Sequence, residues 1–251
     1  MKRLIVNADD FGRTPGVNAG VLDAHLYGIV TSATVMILDR SAAEGVRRIL
    51  DMAPRLSLGL HFVITGGGAP ASAPSSVPTL APGGRFPAGA DQLPAELPAD
   101  EIRRELSAQI AVFEAIARRP PSHLDSHHHA ALHASVLPVF GTVARERGLP
   151  IRAANETSRE WLRHAGLRVP DEFLESFYAA GATRDNLRAL IENLRDGVSE
   201  LMCHPGHPDD ELRRVSDYSE EREREVQILC DPEIPNWLDR HGVELIGFDR
   251  I

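Results

Sequence analysis

Acids and imidazoles gather at a few points along this chain of 251 residues. Asp9 and Asp10 stand side by side, and His61 interrupts the apolar run LGLHFV. Asp125 is followed by His127, His128 and His129, and His204 and His207 share the run HPGHP. Imidazole nitrogen with carboxylate oxygen is a common donor set for a divalent ion such as zinc. A set of two histidines and one aspartate leaves positions open for water and substrate. An ion held in this way acidifies water and polarises a carbonyl. A carboxylate outside the set can then take the proton from that water, so a pair of adjacent acids could supply one of each. Taken singly, each feature has an ordinary structural use. Asp-Asp after a strand caps a turn or helix, and a histidine in an apolar strand is a satisfied core residue. A triple histidine can be an adventitious metal site, and HPGHP a turn with exposed rings.

The elements that must position these residues raise their joint significance. Leu4–Val6 reads as a strand, and Thr14 with Pro15 opens a helix as N-cap and first helical residue. Val17, Val21 and Ala24 fall on one face of that helix. Thr34–Leu38 reads as a second strand, Ser41 with Glu44 as a capping box for the next helix, and Leu56–Val63 as a third strand. Ile102, Leu106, Ile110 and Phe113 mark an amphipathic helix ended by Pro120 and Pro121, and His123–Ser126 reads as the fourth strand. A helix through Val136–Arg147 stops at Gly148, and Ile151–Ala153 reads as a short strand. Residues 155–182 carry no clear signal. Thr183 caps a helix bearing Leu187, Leu190, Ile191 and Leu194. Leu201–Cys203 and Val243–Ile246 are late strands, with a helix around Glu220–Leu229 between them.

This alternation predicts an α/β protein with a parallel sheet, in a single domain over residues 1–251. Periodicity does not decide between a closed barrel and an open sheet. Sites in parallel α/β folds lie at the carboxyl ends of strands. Asp9 and Asp10, His61, Asp125 with His127, and His204 all follow or close such strands. Successive residues of a regular strand point to opposite faces, so a turn must begin at the acid pair if both are to serve one centre. Residues 65–98, rich in Gly, Pro, Ala and Ser, read as a loop or lid.

The bulk properties narrow the partners. A net charge of −9 argues against a phosphate-backbone partner. The apolar run after Lys2 and Arg3 stops at Asn7, too early for a signal peptide. No stretch approaches the roughly 20 apolar residues of a membrane span. Two cysteines, Cys203 and Cys230, fit a reducing compartment. These properties predict a cytoplasmic protein with neither a nucleic-acid nor a membrane partner.

The motifs IVNADDFG, GIVTSATVM, GLHFVIT, HLDSHHH and LMCHPGH, followed by DYSEEREREVQILCDPEI, run in this order from Ile5 to Ile234. In identity and order they resemble the YdjC-like carbohydrate deacetylases, which include the chitooligosaccharide deacetylases. The resemblance implies a distorted (β/α) barrel, TIM-barrel-like, and hydrolysis of an N-acetyl group from an amino sugar with release of acetate. It implies Asp10, His61 and His127 as ligands of one divalent metal ion, magnesium or zinc first, manganese or cobalt next. It implies Asp9 as general base, His204 as general acid toward the leaving amine, Arg222 as a substrate-binding residue, and a homodimer. Asp125 suits the task of holding a neighbouring histidine in one tautomer. Ala131 stands where many relatives carry a further histidine, so any substrate contact made by that ring is absent here. Two other readings stay open on the residues alone: a metal-dependent hydrolase of a phosphoester, and a non-catalytic sugar- or metal-binding protein. The second has no use for Asp9 beside Asp10.

Overall fold

The computed structural model describes all 251 residues. In chain order the elements are β1 (Lys2–Phe11), α1 (Pro15–Leu26), β2 (Ser32–Val35), α2 (Ala42–Met52), β3 (Ser57–Phe62), α3 (Ala99–Ala117), β4 (Leu124–Ser126) and α4 (Val136–Glu146). There follow α5 (Glu156–His164), β5 (Glu172–Leu174), α6 (Arg184–Asn193), β6 (Gly197–Cys203), α7 (Asp210–Val215), α8 (Glu220–Leu229), α9 (Glu233–Arg240) and β7 (Val243–Leu245). The strands hydrogen-bond in the order β4-β3-β2-β1-β6-β5, with β7 also on β1. The chain forms two compact units, Met1–Val35 with Asp39–Leu58 and Pro170–Ile251, and Met36–Leu38 with Gly59–Val169.

In the first unit β1 is the central strand, pairing in parallel with β2, β6 and β7. Leu4, Ile5 and Val6 are buried in succession, as a parallel strand covered on both faces requires. Helix α1 begins as the sequence predicts: Thr14 Oγ1 accepts the Val17 N–H at 3.3 Å, and Pro15 sits at the first helical position. The capping box expected at Ser41 and Glu44 does not form. Ser41 already has helical backbone angles, φ −84° and ψ −6°, and makes no side-chain cap bond, whereas an N-cap needs an extended backbone to reach the next turn. The Asn18 side-chain amide instead donates to the Ser41 carbonyl at 2.9 Å. The second strand is also earlier than expected, ending at Val35 and leaving out Met36–Leu38. Glu172–Leu174, in the stretch without a clear signal, is strand β5 beside β6.

In the second unit the later half of β3 pairs with β4, placing His61 opposite Asp125. Helix α3 buries the predicted face of Ile102, Leu106, Ile110 and Phe113. It ends at Arg118 in the left-handed region (φ 56°), before the proline pair. Residues 65–98 are a loop with three short 3-10 turns, at Pro74–Ser76, Pro82–Gly84 and Ala90–Gln92. Helix α3 anchors it: Glu105 accepts the Ala71 and Ser72 N–H groups at 2.8 and 2.9 Å, and Glu101 those of Thr79 and Leu80 at 2.8 and 3.0 Å. Val77, Leu80 and Phe86 of this loop are buried. The short strand expected at Ile151–Ala153 reduces to one bridge, Leu124 to Ile151. Asn155 and Ser158 form a reciprocal capping box that starts α5 in the region without a clear signal. No helix is long and apolar enough to cross a membrane.

Candidate active site

Strand β1 runs through both acids, but not regularly. Its register against β2 shifts between Ala8 and Phe11, and Asp10 has φ 64°. A bulge of this kind re-aims a side chain, and a non-glycine residue in this region costs about 1–3 kcal/mol. The strict alternation that would separate Asp9 from Asp10 is thereby broken, and both are buried. Asn7, two residues before Asp9, donates from Nδ2 to Asp9 Oδ1 at 2.8 Å and to Thr34 Oγ1 at 3.2 Å. Arg222, on α8, reaches Asp10 Oδ2 with Nη2 at 2.5 Å. Its Nε donates to the Tyr218 carbonyl at 2.9 Å, and its guanidinium carbon lies 5.5 Å from the Tyr218 ring centroid.

His204 follows β6, half-buried, and its backbone N–H donates to Glu225 Oε2 at 2.5 Å. Glu225 is buried and accepts a second hydrogen bond from the Tyr218 hydroxyl. Burial pushes Glu225 up to about 7, against the opposing pull of Tyr218, the His204 N–H and Arg222. Burial, and then the Glu225 charge, push the Tyr218 hydroxyl well above its ordinary value, so it remains a donor. The His204 ring is flanked edge-on by Tyr178 and Tyr218, with centroids at 5.2 and 5.8 Å. His207 has a different task. Its Nε2 lies 2.9 Å from Asp23 Oδ2 and its Nδ1 2.7 Å from Glu223 Oε2, which ties α1 to α8. Burial pulls its pKa down, but the bonds to Glu223 and Asp23 outweigh this and raise it.

In the second unit His61 Nδ1 meets Asp125 Oδ1 at 2.7 Å, and Arg152 Nη1 meets Asp125 Oδ2 at 3.1 Å. All three side chains are buried. This arrangement fixes the imidazole's orientation and directs its metal-binding capacity to Nε2, as carboxylate partners of ligating histidines do. His127 packs edge-on to His61, with centroids 5.4 Å apart. His128 and His129 take left-handed backbone angles, φ 53° and 50°. The chain turns there, and of the triplet only His127 is buried, with His128 exposed and His129 half-buried.

Asp10 in the first unit, and His61 and His127 in the second, are each buried. Both Asp125 oxygens are engaged, one by His61 and one by Arg152, so Asp125 suits orienting His61 rather than ligating a divalent ion. One carboxylate and two imidazoles are donors of the right type for such an ion. Asn7, Arg152, Tyr178, Tyr218 and Glu225 also contribute; Asn7, Tyr218 and Glu225 fall inside the motifs IVNADDFG and DYSEEREREVQILCDPEI without a role assigned to them there, and Arg152 and Tyr178 fall in none. Only Asn7 had a usable signal, its i, i+2 spacing from Asp9 along a strand.

Comparison with known proteins places this geometry in a family. Residues 3–240 match the family model described as YdjC-like protein. A protein from Geobacillus stearothermophilus named carbohydrate deacetylase is 39% identical over 97% of this chain and 96% of its own. A chitooligosaccharide deacetylase from Proteus mirabilis is 33% identical over 96% of each. The crystal structure of a proposed cellobiose-phosphate cleavage protein from Enterococcus faecalis superposes with a TM-score of 0.93 at 31% identity, over 99% of this chain and 98% of that one. A family 4 acetyl xylan esterase from Clostridium thermocellum, in complex with cobalt, gives a TM-score of 0.52 at 16% identity over 99% and 89% of the two chains. That last likeness shows the fold alone, an α/β fold of the distorted-barrel type. The chain belongs to the YdjC-like protein family.

Proposed function

We propose that the protein is a metal-dependent carbohydrate deacetylase, a hydrolase that removes an N-acetyl group from an amino sugar or oligosaccharide and releases acetate. One observation carries the reading: the buried His61 and His127 rings pack edge-on with Asp125 orienting His61, and buried Asp10 is next in sequence to a second buried acid, Asp9. Together these are the donor types a divalent ion takes, with one carboxylate besides. The names of the relatives, carbohydrate deacetylase and chitooligosaccharide deacetylase, support the choice of substrate.

Asp10, His61 and His127 would hold the ion, magnesium or zinc first and manganese or cobalt next. When bound, it supplies polarisation of the acetamide carbonyl and compensates the negative charge that develops on its oxygen. Asp9, held by Asn7, takes the proton of the attacking water as the new carbon–oxygen bond forms. The carbon–nitrogen bond then breaks, acetate leaves, and the amine nitrogen takes a proton from His204, because an amide anion is a poor leaving group. Imidazole changes charge near neutral pH and suits that step. Glu225 fixes the His204 backbone. Asp125 fixes the His61 ring, and Arg222 fixes the Asp10 carboxylate, which makes Arg222 a positioning residue in this scheme.

The test is acetate release over a panel of N-acetylated sugars, with metal content measured on the same protein. Release of phosphate from phosphorylated sugars, with no acetate from any N-acetyl sugar, would overturn the reading.

A further inference from the structure

Tyr178 is a large aromatic residue left 43% exposed on a loop built to hold it still. Its ring stacks on Tyr218, with centroids 4.4 Å apart and planes 20° from parallel. Tyr218 is itself held by its hydroxyl bond to Glu225. The next residue, Ala179, takes a left-handed backbone angle, φ 50°, strained for a side chain with a Cβ. The strain is held in place from both sides. The Ala179 N–H donates to Tyr218 Oη at 3.1 Å, and its carbonyl accepts from Arg224 Nη2 at 2.7 Å. The Asn186 side chain closes the loop by donating to the Ser176 and Gly181 carbonyls at 3.0 and 2.9 Å. A mobile surface tyrosine needs none of this.

The location is as specific as the support. The ring centroid lies 5.2 Å from that of His204. Burial raises the hydroxyl's pKa, Arg222 opposes this, and the charges of Asp10 and Glu225 add to it. The hydroxyl is therefore within electrostatic range of Asp10 and stays a neutral donor. Tyrosine offers a broad, rigid, amphipathic surface at little entropic cost, and the C–H face of a pyranose ring is a matching apolar surface.

From this geometry, and resting on the deacetylase reading, we infer that Tyr178 is the stacking platform for the pyranose ring whose acetamido nitrogen His204 protonates. A group that receives a proton from His204 must lie within hydrogen-bond reach of it. The ring attached to that nitrogen then extends over the neighbouring aromatic face. Tyr218 backs the platform from beneath and Glu225 locks it. The substrate class follows: an N-acetylhexosamine in pyranose form, free or within an oligosaccharide, with one ring face clear of axial bulk. An acyclic N-acetyl compound would lack the platform contact.

The experiment compares Tyr178→Ala and Tyr178→Phe with the wild type on N,N′-diacetylchitobiose. Acetate release gives KM and kcat, and calorimetry gives the affinity for the amino-sugar product, glucosamine disaccharide. The proposal expects Tyr178→Ala to raise KM and weaken product binding about tenfold, the size expected of one aromatic stacking contact. It expects kcat to stay within about threefold, and Tyr178→Phe, which keeps the ring, to stay within about threefold in every constant. Unchanged KM and product affinity in Tyr178→Ala would overturn it, and so would a Tyr178→Phe defect as large as that of Tyr178→Ala. If the wild type releases no acetate from any N-acetyl sugar, the deacetylase reading fails. The calorimetric arm, run with the intact disaccharide, then still decides whether the ring binds a pyranose.

Discussion

Arg222, only 2% exposed, places its Nη2 2.5 Å from Asp10 Oδ2 and so joins helix α8 to the end of strand β1. A buried ion pair is weak evidence of net stability, because desolvating both charges offsets much of their attraction. Removing one partner is a different matter, since it leaves the other charge buried and uncompensated. Arg222→Ala in the metal-free protein is expected to lower the unfolding free energy by about 3–5 kcal/mol, read from urea denaturation. A loss below about 1 kcal/mol would show that Asp10 is compensated by some other group. A divalent ion bound at Asp10 should restore part of the loss, because it supplies the missing positive charge.

Asp125 touches no substrate in this account, yet it orients a ligand. Its carboxylate spans His61 and Arg152. Asp125→Ala should weaken divalent-ion affinity about 10- to 100-fold, the usual effect of removing a partner that orients a metal-binding histidine. Titration of the metal-free protein with zinc or manganese reads this directly. Unchanged affinity would mean that packing alone holds the His61 ring, for instance its edge-on contact with His127.

Glu225 gives the stability a pH dependence of definite sign. Its pKa is pushed from the ordinary 4.5 to about 7, chiefly by burial. The folded state therefore holds the proton more tightly than the unfolded chain. The stabilisation from this linkage is fully present below pH 4.5 and is lost as pH rises through about 7. Glu225→Gln cannot ionise and should flatten that decline. The difference in unfolding free energy between variant and wild type should move in the variant's favour between pH 5 and pH 8, measured by denaturant titration. A difference that stays constant across the range would contradict the assignment.

Much of this arrangement is legible in the sequence, because it depends on local periodicity. The alternation of short apolar runs with helical faces points to a parallel α/β sheet, and strand ends then collect Asp9, Asp10, His61, Asp125 and His127. The pleat alone signals that β1 must break at the acid pair, and the break is found as a register shift with positive φ at Asp10. Other features depend on partners far along the chain. Glu101 and Glu105 look like the solvent face of a helix, but they are buried because they accept loop N–H groups from residues 71–80. Ser41 and Glu44 have the spacing of a capping box, yet the backbone at Ser41 is already helical. Tyr178 lies in no motif, and the run DYSEEREREVQILCDPEI holds Tyr218 and Glu225 without signalling their role. Their role comes from the loop and helix that bring two phenol rings and a buried acid against His204.

The most direct test of the central claim is acetate release by metal-loaded Asp9→Asn beside the wild type, with bound metal quantified in both. In this scheme Asp9 is the general base and stands outside the proposed ligands Asp10, His61 and His127. The variant should therefore keep its ion while acetate release falls about 100- to 10,000-fold, the contribution typical of a general base. Full activity in Asp9→Asn, or loss of the ion together with the activity, would contradict the division of roles between the two acids.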